Sequence, residues 1–146
     1  MTPYSVMKDI AGFLKGKLKI ENVYEGFLSK IDKIANVQKR CPSVAVRVVE
    51  VNDYKNSSTV QIAIYALTFD DDLIYGSCEL YHILEKIRFE ILTNNPIKNK
   101  YLIQMGETQA VTTYVPDEQF FPYWIGAIEF VVRISQPENK NSINVI

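Results

Sequence analysis

Histidine and tryptophan occur once each among the 146 residues, cysteine only twice, and the six glycines stand singly. Each scarcity removes a class of function. Cys41 and Cys78 have no CxxC spacing and lie in unrelated contexts, so the chain is no disulfide scaffold, and both read as small apolar or semi-exposed thiols. With neither GxGxxG nor GxxxxGK[ST] present, no glycine-rich loop can cradle a phosphate. Charge of one sign is missing too: 16 basic against 17 acidic residues give a net charge of -1. That balance argues against a broad footprint for nucleic acid or anionic membrane. The densest basic stretch (Lys15, Lys17, Lys19, Lys30, Lys33, Lys39, Arg40) is interrupted by Glu21, Glu25 and Asp32 and reads as a solvated face. No apolar run is long enough for a membrane-spanning helix, and Met1-Thr2-Pro3-Tyr4 does not begin a signal peptide, so a soluble protein made in the cytosol is expected.

What is present is apolar material, 47% of residues, ample for one core. Val6, Met7, Ile10, Phe13 and Leu14 predict a short amphipathic helix over residues 4–15, closed by Gly16. Residues 22–37 fit a second helix through Val23, Phe27, Leu28, Ile31 and Ile34. A strand to about Leu28 followed by irregular chain is preferred, because Gly26 weakens a helix by roughly 1 kcal/mol. Pro42 opens a β-rich run, Val44 to Val51, and the polar cluster Asn52 to Ser58 turns it into a second strand, Thr59 to Phe69. This predicts an antiparallel hairpin. Leu80, Ile83, Leu84, Ile87 and Ile91 then mark one face of a long helix that should pack across the hairpin, ending at Asn94-Asn95-Pro96. Extended segments are expected at 101–105 and 110–115, with Pro116-Asp117-Glu118 breaking the second. The fold class is therefore α+β, a mostly antiparallel sheet with a long helix and a short N-terminal helix on one face. One domain is expected over residues 1–135, and 136–146 form a polar tail whose Ile143, Val145 and Ile146 could dock.

The candidate chemistry is thin. Asp70, Asp71 and Asp72 form the one dense carboxylate cluster, which could hold a divalent cation. Their place between a strand and the long helix favours turn and helix-capping roles, and the spacing is not that of an EF-hand. Cys78 and His82 stand four residues apart on the long helix, but no nucleophile elbow or oxyanion loop accompanies them. A surface pair is the simpler reading. No catalytic, cofactor-binding or metal-binding residue is assigned, no cofactor is implied, and the chain reads as a non-enzyme. The nine tyrosines and seven phenylalanines could stack single-stranded bases, yet Asp117, Glu118 and Glu129 flank the densest group. Those aromatics suit protein contacts or core packing better.

That group opens the longest apolar run, Phe120 to Ile134. Extended conformation places Trp124, Ile128, Phe130, Val132 and Ile134 on one side and Tyr123, Ile125, Ala127 and Val131 on the other. Both faces are largely apolar, so the strand should be enclosed within its own domain or covered by a neighbour.

Pro42-Ser43-Val44-Ala45-Val46-Arg47, the alternating strand through Ile64-Tyr65-Ala66, Tyr75-Gly76 before the long helix, and Phe121-Pro122-Tyr123-Trp124-Ile125-Gly126 together resemble the tail-terminator or tail-completion (neck) proteins of long-tailed bacteriophages and phage-tail-like particles. The resemblance spans about residues 40 to 135 and rests on motif order and the aromatic approach to the last strand. It implies a structural subunit without catalysis that forms a ring, usually hexameric, on the head-proximal end of the tail tube. Implied partners are further copies of itself, the tail tube protein, and the sheath or head-tail connector, with no membrane and no specific nucleic acid. Implied locations are the host cytoplasm during assembly and then the neck of a virion or bacteriocin-like particle. Subunit contacts are expected at Phe120, Phe121, Tyr123, Trp124 and Ile125, with Asp70, Asp71 and Asp72 as a loop contact. The alternative is another neck component, or an assembly chaperone that binds a tail protein without joining the particle.

Overall fold

A computed structural model describes residues 1–28 and 37–138. Ile31 and Ile34, the basic residues Lys30 and Lys33, and the tail residues Ile143, Val145 and Ile146 lie outside the described residues. The described elements are α1 (Pro3–Leu18), β1 (Asn22–Glu25), α2 (Val37–Arg40), β2 (Ser43–Asp53), β3 (Ser58–Phe69), α3 (Cys78–Thr93), β4 (Thr112–Tyr114) and β5 (Tyr123–Ile134). They form an α+β fold. The five strands order as β1-β2-β3-β5-β4, all pairings antiparallel except β1 with β2.

The hairpin forms as its alternation requires, with Val44 opposite Ala66 and Val46 opposite Ile64. A bulge between Val48 and Glu50 shifts the register once. β3 then pairs with β5 along its whole length, from Ser58 opposite Ile134 to Phe69 opposite Tyr123. Val44, Val46, Val60, Ile62, Ile64, Ile128, Phe130 and Val132 thus share one face, where they are fully buried with Val6, Ile10 and Leu14 of α1 and Leu80, Leu84, Ile87 and Ile91 of α3. Both long helices therefore cover the same side of the sheet. On the other side Ala45, Ala63 and Ala127 are buried between the long side chains of Arg47, Tyr65, Tyr114 and Glu129.

Four expectations need correction. α1 does not stop at Gly16 but continues to Leu18 and ends on Lys19, whose φ of 56° is left-handed. Its start is fixed by Thr2, whose hydroxyl accepts from the Ser5 amide while Ser5 answers in kind. β1 stops at Glu25 rather than near Leu28, because Gly26 turns the chain at φ 107°. The 101–105 stretch is no strand: Tyr101 and Ile103 make isolated bridges only, and their side chains are drawn into the core. Of 110–115, only Thr112–Tyr114 pairs, all three residues exposed. The short helix α2 was not foreseen.

Candidate interaction surface

The residues singled out in the sequence converge at one end of the sheet, where β3 ends and β5 begins. Trp124 Nε1 donates to the Asp70 carbonyl at 3.0 Å, and the Asp70 amide donates to the Pro122 carbonyl at 2.9 Å. Carboxylate loop and aromatic motif are thus one unit. Phe121 meets Trp124 edge-on with ring centroids 6.0 Å apart, and Tyr123 meets Phe69 likewise at 5.3 Å. Gly76 completes the joint: a Cβ there would lie 2.4 Å from the Asp72 carbonyl oxygen and 2.9 Å from the indole. The Tyr75-Gly76 and Phe121-to-Gly126 motifs, 45 residues or so apart in sequence, are packed against each other.

Within the loop the carboxylates fold the backbone rather than cap α3. Asp70 accepts from the Asp72 amide at 2.9 Å, and Asp72 accepts from the amides of Ile74 and Tyr75, both at 2.8 Å. These bonds to Tyr75 and Ile74 hold the Asp72 carboxyl below its ordinary value of 3.8. The capping expectation fails, since the N-cap of α3 is Ser77, without a side-chain cap bond. Asp71 is exposed and takes no part in the turn.

The turn presents what the sequence reading missed. Leu73, Ile74 and Tyr75 are 80%, 78% and 69% exposed, beside Phe120 at 65% and Phe121 at 47%. Leu73 and Ile74 have no place in the periodic pattern of α3, which was the available signal. Tyr123, Trp124, Ile125 and Asp70 are half-buried, so of the residues expected at a contact Phe120, Phe121, Asp71 and Asp72 are the open ones. Ile125 is fixed by Gln119, whose amide both donates to its carbonyl (3.0 Å) and accepts from its N–H (2.6 Å), as a neighbouring strand would. Gly126 allows close approach of α3, with an added Cβ 2.7 Å from Leu84 Cδ1.

β5 is enclosed on one face by the core and half-buried on the other, where Ile125 and Val131 reach the surface beside buried Ala127. The doubly apolar run is therefore explained only in part by the chain's own packing.

Cys78 and His82 are exposed beside Tyr81 and Glu85 along a shallow groove of about 160 Å³ on α3, and neither side chain makes a hydrogen bond among the described residues. Cys41 is half-buried, its thiol pushed up to about 11 by burial and by Glu79. Among the described residues no group of His, Cys, Asp and Glu side chains could hold a metal ion, and no helix is long and apolar enough to cross a membrane. Neither a protein-family model nor a curated protein sequence matches the chain.

Proposed function

We propose that the protein is a tail-terminator subunit, a structural component that assembles as a ring on the head-proximal end of a phage or phage-like tail tube. The observation that carries this reading is the exposed apolar surface around Trp124: Leu73, Ile74, Tyr75, Phe120 and Phe121 together expose on the order of 600 Å², approaching the roughly 800 Å² one partner contributes to a stable interface. Large apolar side chains this open, on two segments that meet at Trp124, suit a surface that a partner covers. Two of the motifs that resemble the family, Tyr75-Gly76 and Phe121 to Gly126, contribute to this surface, and a near-neutral chain suits a protein partner. Head-to-tail contacts between two different patches close into a ring when the rotation permits.

Negative-stain imaging of the purified chain mixed with tail tubes tests the reading. Rings seated at one tube end are expected, and tubes with bare ends at saturating protein would overturn it. Quantitative mass spectrometry of purified particles separates a ring component from a chaperone, which would be absent from the finished particle.

A further inference from the structure

A knob in a head-to-tail assembly needs a socket elsewhere on the same subunit, with an apolar floor and opposite charge. The knob here is apolar at Leu73 and Ile74 and acidic at Asp71, Asp70 and Asp72 being engaged in the turn. Three grooves of some size offer themselves among the described residues. The one at the end of α3 carries Lys17 and Lys98 but is lined by asparagines. The one beside Met1 contains Asp53 and no basic residue. The third, about 540 Å³, runs between the outer stripe of α1 and the edge strand β1. Lys8 and Lys15 stand on its α1 side, Ala11, Gly12 and Val23 are its small and apolar members, and Phe27 is 74% exposed at its margin. Glu25 is the acid of its wall.

We infer that the Asp71-Leu73-Ile74 knob of one subunit docks in the α1–β1 groove of a second copy, with the Asp71 carboxylate meeting Lys8 and Lys15. This deepens the ring reading, on which it rests for the identity of the partner. Lysines above an apolar floor of Ala11, Val23 and Phe27 select the groove over the asparagine-lined one, and its position fits: it flanks the β1 edge, whereas the knob stands at the β3–β5 end on the far side of β2. The two patches do not overlap, so the contact is heterologous and leaves every open assembly with one free knob at one end and one free socket at the other until a ring closes. The knob arrives pre-shaped by the Asp72 hydrogen bonds, so little ordering is required on docking.

Sedimentation of the full chain up to millimolar concentration, with three sets of variants, tests the contact. Gly12 is exposed, and a Cβ there would meet nothing within 4 Å, so Gly12→Trp fills the groove without disturbing the helix and should leave a folded monomer. Asp71→Lys and Lys15→Glu should each weaken association at least about tenfold, and the double variant should regain most of it. A wild-type chain that stays monomeric, a Gly12→Trp chain that associates like wild type, or a double variant no better than the singles would overturn the contact. Tube-end imaging distinguishes this failure from that of the ring reading. Variants that seat on tube ends as wild type does would remove the socket and keep the function. Self-association through the groove without any binding to tubes would keep the contact and remove the function.

Discussion

At the scale of single residues, Gly76 is the most constrained position of the surface. Its backbone runs against both the Asp72 carbonyl and the Trp124 ring, so Gly76→Ala must displace backbone rather than a flexible side-chain tip. A loss of about 2 kcal/mol or more is expected in urea unfolding, with a change in native Trp124 emission. Because Trp124 is the sole tryptophan, that emission reports this joint alone. Asp72 gives the joint a pH dependence. A carboxyl whose folded pKa lies below its unfolded value stabilises the turn above the unfolded value, 3.8, and the contribution fades as pH falls through the lower folded value. Trp124 emission should therefore change below about pH 3.8, and Asp72→Asn, which keeps an acceptor but cannot titrate, should flatten that step. Thr68 makes the opposite point. Its hydroxyl is buried opposite Trp124 without a hydrogen-bond partner among the described residues, so Thr68→Val should be neutral or slightly stabilising in the same unfolding measurement.

At the scale of elements, what the sequence made legible follows how far each element depends on its own residues. α3 was readable because Leu80, Ile83, Leu84, Ile87 and Ile91 repeat at helical spacing and all turn inward. The β2–β3 hairpin was readable because alternation and a polar turn specify it locally. Pairings and contacts set by distant partners were not. Nothing in Asn22–Glu25 announces that it pairs in parallel with β2, a contact that also uses Asn22 Nδ2 donating to the Arg40 carbonyl. Tyr101 looks like a strand residue, but its ring is buried while its hydroxyl donates to Asp9 on α1, 92 positions away in sequence. The contact surface was half legible for the same reason. Its aromatic half stands out in a run of unusual composition, whereas Leu73 and Ile74 could be recognised as exposed only once the Asp72 turn was seen. Gln119 belongs to this scale, since its amide takes the place of a strand beside Ile125. Gln119→Ala should cost about 1 to 2 kcal/mol and speed amide exchange at Ile125, measured by hydrogen exchange.

At the scale of the whole molecule, the second face of the sheet is held by polar aromatics. Arg47 lies between the rings of Phe27 and Tyr65, at 3.9 and 4.4 Å from their centroids, and donates to the Gly26 carbonyl, which ties the chain after β1 to the hairpin. Tyr114 donates to Glu129 across β4 and β5. Burial, followed by Glu129, raises the Tyr114 phenol to about 12, and burial, followed by Asp9, does the same for Tyr101. A tyrosine whose folded value is raised contributes stability that is complete below its unfolded value of 10 and is lost as pH climbs through about 12. Urea midpoints should therefore fall across that alkaline window, and Tyr101→Phe together with Tyr114→Phe should remove much of the fall.

The groove beside Met1 is shared by the Asp53–Ser58 turn and by Gln136, whose amide donates to the Tyr54 and Ser57 carbonyls. β3 runs from Ser58 at that pole to Phe69 beside Trp124, about 36 Å at strand rise. A fluorophore or affinity handle fused ahead of Met1 would hang from the pole opposite the aromatic knob, so an immobilised subunit would present that knob outward, free to capture the next copy from solution.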